Sequence, residues 1–446
     1  MAEIKSPKTS FKFNVTRQPA ELIPPAGSTP YEVKELSDLD NAPQLRFLVV
    51  TVLAYKNHYG NNINKHCLHG TVHPAKVFKE AIAKALVSYY PFAGRVRAAT
   101  GGRLVVECNG EGVLFIEADA NVTLDEFGGD QFIYDPICMT DLLHVVPGSD
   151  RILHTPLLLI QVTRLKCGGF IFALRLNHTM ADATGVVQFF NAVAEFARGA
   201  ESPSITPVWE RNLLTAQPLL EINFDKNIEM HEIICRETVT RSLDMVSKYF
   251  YFGSTQIAAI RSSLPQSTRS FTRFDLVVAH LWRSRSIALY SDRNDVVQLK
   301  YPINIRSIVN PPLPKGYYGN AVKVLIAETT VGELFDKPLQ YALELITSPK
   351  SKHNIKSSLL SNVNNLDNMF LISDTTKLGF DRLDFGWGQC ASARHEGIYQ
   401  GRNFVSFLAP FKHLNETGVL APIHLPRPAM EKFVKIVTQF NTLSNL

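Results

Sequence analysis

Between Leu157 and Gly199 the hydrophobic period of the chain changes, and that change restricts which folds can house it. Leu157 to Val162 and Gly169 to Asn177 are short apolar runs, the length of buried strands rather than helices. From Val186 onward, Phe189, Phe190, Val193 and Ala197 follow three or four residues apart, and the pattern stops at Gly199. This predicts a helix whose apolar face packs back on the preceding sheet. A strand, a tight turn and a helix in that order point to a mixed α/β fold.

Both periods recur elsewhere. Phe78, Ile82, Ala85, Leu86 and Tyr89 predict an amphipathic helix from Pro74 to Tyr89, followed by Tyr90-Pro91-Phe92-Ala93-Gly94-Arg95 and strands at Leu104 to Cys108 and Val113 to Ala118. Later, Ser254 is placed to cap a helix running to Leu264, and a second helix is expected from Asp275 to Tyr290. Val297, Leu299, Tyr301, Ile303 and Ile305 alternate like one face of a strand. A chain of 446 residues exceeds one ordinary core and predicts two lobes of roughly 200 residues each. The proline-rich, aperiodic stretch after Gly199 reads as a linker, so the expected division is 1–200, a crossover at 201–224, and 225–446.

Composition removes several functions. The 46 Lys and Arg against 41 Asp and Glu leave a formal charge of +5 without basic blocks, so no nucleic-acid partner is expected. Six scattered cysteines with no C-x-x-C pair predict reduced thiols. The first ten residues lack a signal-type apolar stretch, and no run approaches the roughly 20 residues that span a bilayer, so a cytoplasmic protein without a membrane partner is expected. Serine-hydrolase elbows, phosphate loops, dinucleotide turns and zinc helices have no counterpart in the sequence. His66, Cys67, His69 and His73 have ligand-type chemistry but sit in a polar stretch without a distant ligand pair, and no metal site is expected.

The sharpest chemical signal is Asn177-His178-Thr179-Met180-Ala181-Asp182-Ala183-Thr184-Gly185, at the change from strand to helix. A histidine at a strand end can project into a cleft, and an ordinary pKa of about 6.5 suits proton abstraction; a packed histidine is the other reading. Asp182 shares a face with His178 only if the helix has already begun, so it can equally cap the helix or pair with an arginine. Arg306, after the strand Tyr301-Pro302-Ile303-Asn304-Ile305, suits such a pair with Asp182. In Asp384-Phe385-Gly386-Trp387-Gly388 two glycines around an indole allow an unusual turn, with Trp387 either anchoring it or donating its N–H.

Taken together these segments resemble the BAHD acyltransferases, a plant family that moves acyl groups from coenzyme A thioesters to alcohols or amines. His178 to Asp182 is similar to the family's H-x-x-x-D, Asp384 to Gly388 to its D-F-G-W-G, and Tyr90 to Arg95 to its Y-P-x-A-G-R. Leu36-Ser37-Asp38-Leu39-Asp40, Gly110 to Val113, Gln161 to Gly169 and Ala429 to Phe433 resemble the branch holding benzyl alcohol benzoyltransferases and alcohol acyltransferases. The resemblance implies two chloramphenicol-acetyltransferase-like lobes around a solvent channel, with part of the C-terminal half completing the N-terminal sheet. It implies acyl-CoA as co-substrate with no permanently bound cofactor, a small alcohol as acceptor, and benzoyl-CoA or acetyl-CoA as donor. A monomer is expected. His178 would be the general base in a ternary complex, with Asp182 and Arg306 supporting the turn. Asp384, Gly386, Trp387 and Gly388 would be structural or oxyanion candidates. An amine acceptor, giving an amide, and a noncatalytic binding relative are the alternatives.

The chain departs from its relatives in two places. Ser373-Asp374-Thr375 stands where they often read Ser-Asp-Trp, and Gln389-Cys390-Ala391-Ser392-Ala393 where they often carry an aromatic and paired glycines. Ser373, Thr375 and Thr376 are therefore the acceptor-pocket candidates.

Overall fold

The computed structural model describes residues 3–4, 13–56, 72–127, 139–215, 244–265, 270–351, 368–397, 405–413 and 416–438. Its first-half strands are β1 (Glu3–Ile4), β2 (Val15–Arg17), β3 (Glu21–Ile23), β4 (Glu32–Glu35), β5 (Leu48–Tyr55), β6 (Arg95–Ala98), β7 (Leu104–Cys108), β8 (Val113–Ala120), β9 (Leu158–Leu165) and β10 (Phe170–Asn177). Those of the second half are β11 (Met245–Phe252), β12 (Val296–Asn304), β13 (Val322–Thr330), β14 (Met369–Asp374), β15 (Ser392–Gly397), β16 (Val405–His413) and β17 (Glu416–Pro426). The longer helices are α1 (Pro74–Ser88), α2 (Ala183–Ala197), α3 (Ser254–Ser262), α4 (Arg273–Leu289), α5 (Val331–Asp336), α6 (Leu339–Ser351) and α7 (Arg427–Val437). The mixed α/β class is as expected, and none of the described helices is long and apolar enough to cross a membrane.

Two sheets organise the chain. The first runs β15-β5-β10-β9-β8-β2, with β3 also on β8, and the second runs β1-β11-β17-β16-β14-β12-β13. Every residue of β10 is buried, which explains its unbroken apolar sequence. On one face of the first sheet α1 and α2 pack together, joining Phe78, Ile82 and Leu86 to Phe172, Leu174 and Leu176 of β10 and to Phe189, Phe190 and Val193. Each such side chain contributes roughly 1.5–3 kcal/mol on burial. The second sheet builds a separate core with α4, α6 and α7. β4, β7 and β6 form a small third sheet.

The two large sheets exchange chain. After β14 the backbone leaves the second sheet, adds β15 antiparallel to β5 at the edge of the first, and returns as β16 parallel to β14.

Local capping differs from the expectation at α3. Gly253, not Ser254, is the cap, donating its N–H to Gln256 Oε1 at 2.9 Å, and the helix ends at Ser262. Glu416 takes over the capping role from outside by accepting the Ser254 N–H. At α1, His73 is the cap: its Nδ1 accepts the Ala75 N–H at 3.2 Å. His66, Cys67 and His69 lie outside the described residues.

Candidate active site

β10 ends at Asn177, opposite Leu48 of β5. One residue on, His178 donates its N–H to the Phe47 carbonyl at 3.0 Å, and its ring lies 4.8 Å from that of Phe47. The Asn177 side chain sets the turn, with Oδ1 accepting from Thr179 Oγ1 at 2.8 Å and Nδ2 donating to the Ile152 carbonyl at 2.9 Å. α2 starts at Ala183, so His178 and Asp182 do not share a helical face.

Asp182 serves two purposes at once. Its Oδ1 accepts the Gly185 N–H at 3.0 Å as the α2 cap, and its Oδ2 accepts the Ala321 N–H at 2.9 Å. Arg306 closes a bidentate pair on the same carboxylate, with Nη1 at 2.8 Å and Nη2 at 2.9 Å, and also donates to the Gly319 carbonyl at 2.7 Å. The pair is well buried, the side chains being 16% and 4% exposed for Arg306 and Asp182. Asp182→Asn keeps the shape but weakens these charge-assisted bonds, so unfolding midpoints should show a loss of about 2 kcal/mol. A variant that unfolds like the parent but turns over slowly would assign Asp182 to orientation rather than stability.

Gly185 makes the approach of α2 possible. A Cβ there would lie 2.0 Å from the Tyr318 carbonyl oxygen, a backbone atom that cannot swing aside. Gly185→Ala should therefore cost at least about 2 kcal/mol in denaturant unfolding. An unchanged midpoint would mean that the 317–321 segment yields freely.

A second ion pair also holds the turn, and sequence reasoning missed it. Asp40 and Arg211 have side chains 0% and 1% exposed, with Arg211 Nη1 3.2 Å from both carboxylate oxygens. Arg211 Nη2 donates to the Met180 carbonyl at 2.9 Å, and its guanidinium lies 4.2 Å from the Trp209 ring centre. Asn320 links the two halves: its Nδ2 is 2.8 Å from Asp40 Oδ1 and 2.9 Å from the His178 carbonyl oxygen. The histidine turn is thus held at the backbone carbonyls of residues 178 and 180 by Asn320 and Arg211, and at the Asp182 side chain by Arg306. Arg211 falls in the stretch read as linker, and its partner is 171 residues away. Proline and serine content gave no sign of it. The rest of that stretch, 216–224, lies outside the described residues.

The imidazole itself is half-buried, with Nδ1 shielded from solvent. Burial is the largest influence on it and pushes its pKa below the ordinary 6.5; its own backbone, the Asp182 carboxylate, the Asn320 side chain and the Asp40 carboxylate push upward by less. The ring is therefore neutral and able to accept a proton at neutral pH.

The glycine-rich turn closes on itself. Asp384 Oδ1 accepts the N–H groups of Gly386 at 2.8 Å and Gly388 at 2.9 Å, and both glycines have positive φ, 102° and 90°. Phe385 and Trp387 turn into the first core, where the indole stacks at 6.2 Å from Phe78 and meets Phe170 edge-on at 5.1 Å. Arg198 ties the turn to the end of α2 through the Asp384 carbonyl. These contacts describe a packed anchor.

Ser373, Thr375 and Thr376 lie at and after the end of β14, in the other sheet. The Thr375 hydroxyl donates to the Leu408 carbonyl at 2.7 Å and the Thr376 hydroxyl to Asp374 Oδ1 at 2.6 Å. A hydroxyl has a single proton, so neither threonine has one left to donate to a substrate in this arrangement. Among the described residues, no three His, Cys, Asp or Glu side chains are grouped to hold a metal ion.

Comparison with known proteins places this geometry. A family model described as "Transferase family" matches residues 13–439. The chain is 44% identical over 440 residues to benzyl alcohol O-benzoyltransferase of Nicotiana tabacum, covering 95% of this chain and 93% of the relative. In fold it is similar to the crystal structure of vinorine synthase, with a TM-score of 0.73 at 22% identity, covering 95% of this chain and 98% of that one. It is also similar to TRI101 of F. sporotrichioides complexed with coenzyme A and T-2, with a TM-score of 0.66 at 16% identity over 90% of this chain and 97% of that one. The match along nearly the whole chain, with the histidine turn and the glycine-rich turn both in place, shows that this protein belongs to the BAHD acyltransferases of the Transferase family and transfers acyl groups.

Proposed function

We propose that the protein forms esters by transferring an acyl group from an acyl-CoA, benzoyl-CoA or acetyl-CoA, to a small alcohol, with His178 as general base. The observation that carries this reading is an imidazole at the end of β10 on a turn held at the His178 and Met180 carbonyls and at the Asp182 carboxylate. The tobacco relative's name, a benzyl alcohol O-benzoyltransferase, supports a benzoyl donor and an aromatic alcohol, and the coenzyme A in the TRI101 complex supports a CoA thioester.

His178 takes the hydroxyl proton while the acceptor oxygen attacks the thioester carbonyl carbon. The C–S bond then breaks, and the imidazolium returns that proton to the departing thiolate, leaving ester and free thiol. With Nδ1 shielded, Nε2 is the nitrogen assigned to this transfer. The clamp fixes the ring's origin, so positioning is supplied before substrate arrives rather than at its expense. Asp182 contributes through the turn, since its carboxylate is engaged by Arg306, Ala321 and Gly185.

The test is a thiol-release screen crossing benzoyl-, acetyl- and hydroxycinnamoyl-CoA with alcohols and matched amines, with products identified by mass. Ester formation from benzoyl- or acetyl-CoA supports the reading. Amide products alone, or no thiol with any pair, would overturn it.

A further inference from the structure

β12 separates two environments. Val297, Leu299 and Tyr301 enter the second core, so Gln298, Lys300 and Pro302 project from the opposite face. On that face Ile326 of β13 and Leu371 of β14, both opposite Lys300 in register, are only half-buried, as is Phe407 of β16. The sheet there is an apolar wall still partly open to solvent, unlike the helix-covered side.

Lys300 is 4% exposed in that wall. Among the described residues no carboxylate, carbonyl or hydroxyl bonds its ammonium, and Glu328, on the same face, is bonded by the Gln298 amide. Burial pushes the amine's pKa down and no neighbouring charge opposes it. An amine withdrawn from water without a counter-charge is destabilising, which makes the position one where an arriving anion is strongly favoured. Along the same face β12 continues to Asn304, whose Oδ1 accepts the Arg306 N–H at 2.9 Å beside the Asp182 pair. Four strand residues at about 3.3 Å each put Lys300 roughly 13 Å from Asn304 along β12.

We propose that Lys300 binds an oxyanion carried by a substrate, either a phosphate of the acyl-CoA donor or a carboxylate on the acceptor, against the open face of β12. This rests on the acyl-transfer reading above and adds to it a charge requirement at a named residue.

The test uses Lys300→Met and Lys300→Gln in the full chain with two substrate pairs that differ by the charge. Benzoyl-CoA is compared with S-benzoyl pantetheine, which lacks the phosphates, and 4-(hydroxymethyl)benzoate with benzyl alcohol. In one pair the kcat/KM ratio of charged to uncharged member should fall about 10- to 100-fold in both variants, with partial recovery in Lys300→Arg. A fall in the donor pair identifies phosphate, and a fall in the acceptor pair identifies carboxylate. If both ratios match the parent, Lys300 binds no substrate oxyanion. Calorimetric titration of coenzyme A and of 4-(hydroxymethyl)benzoate into parent and Lys300→Met reads the same contrast without turnover. An inactive parent would therefore sink the acyl-transfer reading while the Lys300 test still runs. Loss of a buried unpaired charge should not lower the variants' melting temperature, so a folding failure is not expected to mask the result.

Discussion

Replacing His178 with Ala should lower thiol release by about 10² to 10⁴ at neutral pH while leaving the protein folded, because a positioned base contributes that much to a proton-coupled attack. The half-buried ring lies tilted against that of Phe47, and the hydrogen bonds that fix the turn come from backbone groups of residue 178 that alanine retains. Melting behaviour should thus stay close to the parent's even as the rate collapses. A companion result concerns pH. Because burial depresses the imidazole's pKa, the neutral, proton-accepting form persists below pH 6.5, and the acid limb of kcat/KM should fall below that value. Undiminished turnover in the alanine variant would remove His178 from the reaction. An acid limb well above pH 6.5 would mean that some other group governs it.

Replacing Asp40 with Asn should give the largest loss of stability of the changes considered. It leaves the Arg211 guanidinium, 1% exposed, without its counter-charge, and breaking a pair buried to this degree costs about 3–5 kcal/mol. Asn320 and Ser37 also lose an anionic acceptor, since both donate to the same carboxylate. Adding Arg211→Met to Asp40→Asn should recover part of the loss by removing the stranded charge. Recovery stays incomplete because the Met180 carbonyl then lacks its donor. Denaturant midpoints of the two single variants and the double variant measure this coupling directly. Additive losses would show that the two residues act independently. Asp40 also raises the His178 pKa slightly, so the acid limb of the Asp40→Asn variant should move lower still.

Arg211 and Asp40 illustrate where sequence reading stops. A run such as Pro203 to Pro218 reads as a connector because its composition lacks periodicity, yet it delivers a cation into the space behind the histidine turn. The capping of α3 by Gly253 and Glu416 has the same origin, a partner supplied from 162 residues away.

The order of hydrophobic periods along the chain determined the mixed α/β class, the strand at Phe170–Asn177, the helix at Ala183–Ala197 and the break between them where His178 stands. Those are local consequences of side-chain spacing, which the sequence displays directly. Tertiary structure alone decided that Arg211 meets Asp40 and the Met180 carbonyl at the histidine turn, and that Lys300 lies buried on the open side of β12. Each depends on which distant groups meet, and charge pairing and burial carry no signature in the spacing of neighbouring residues.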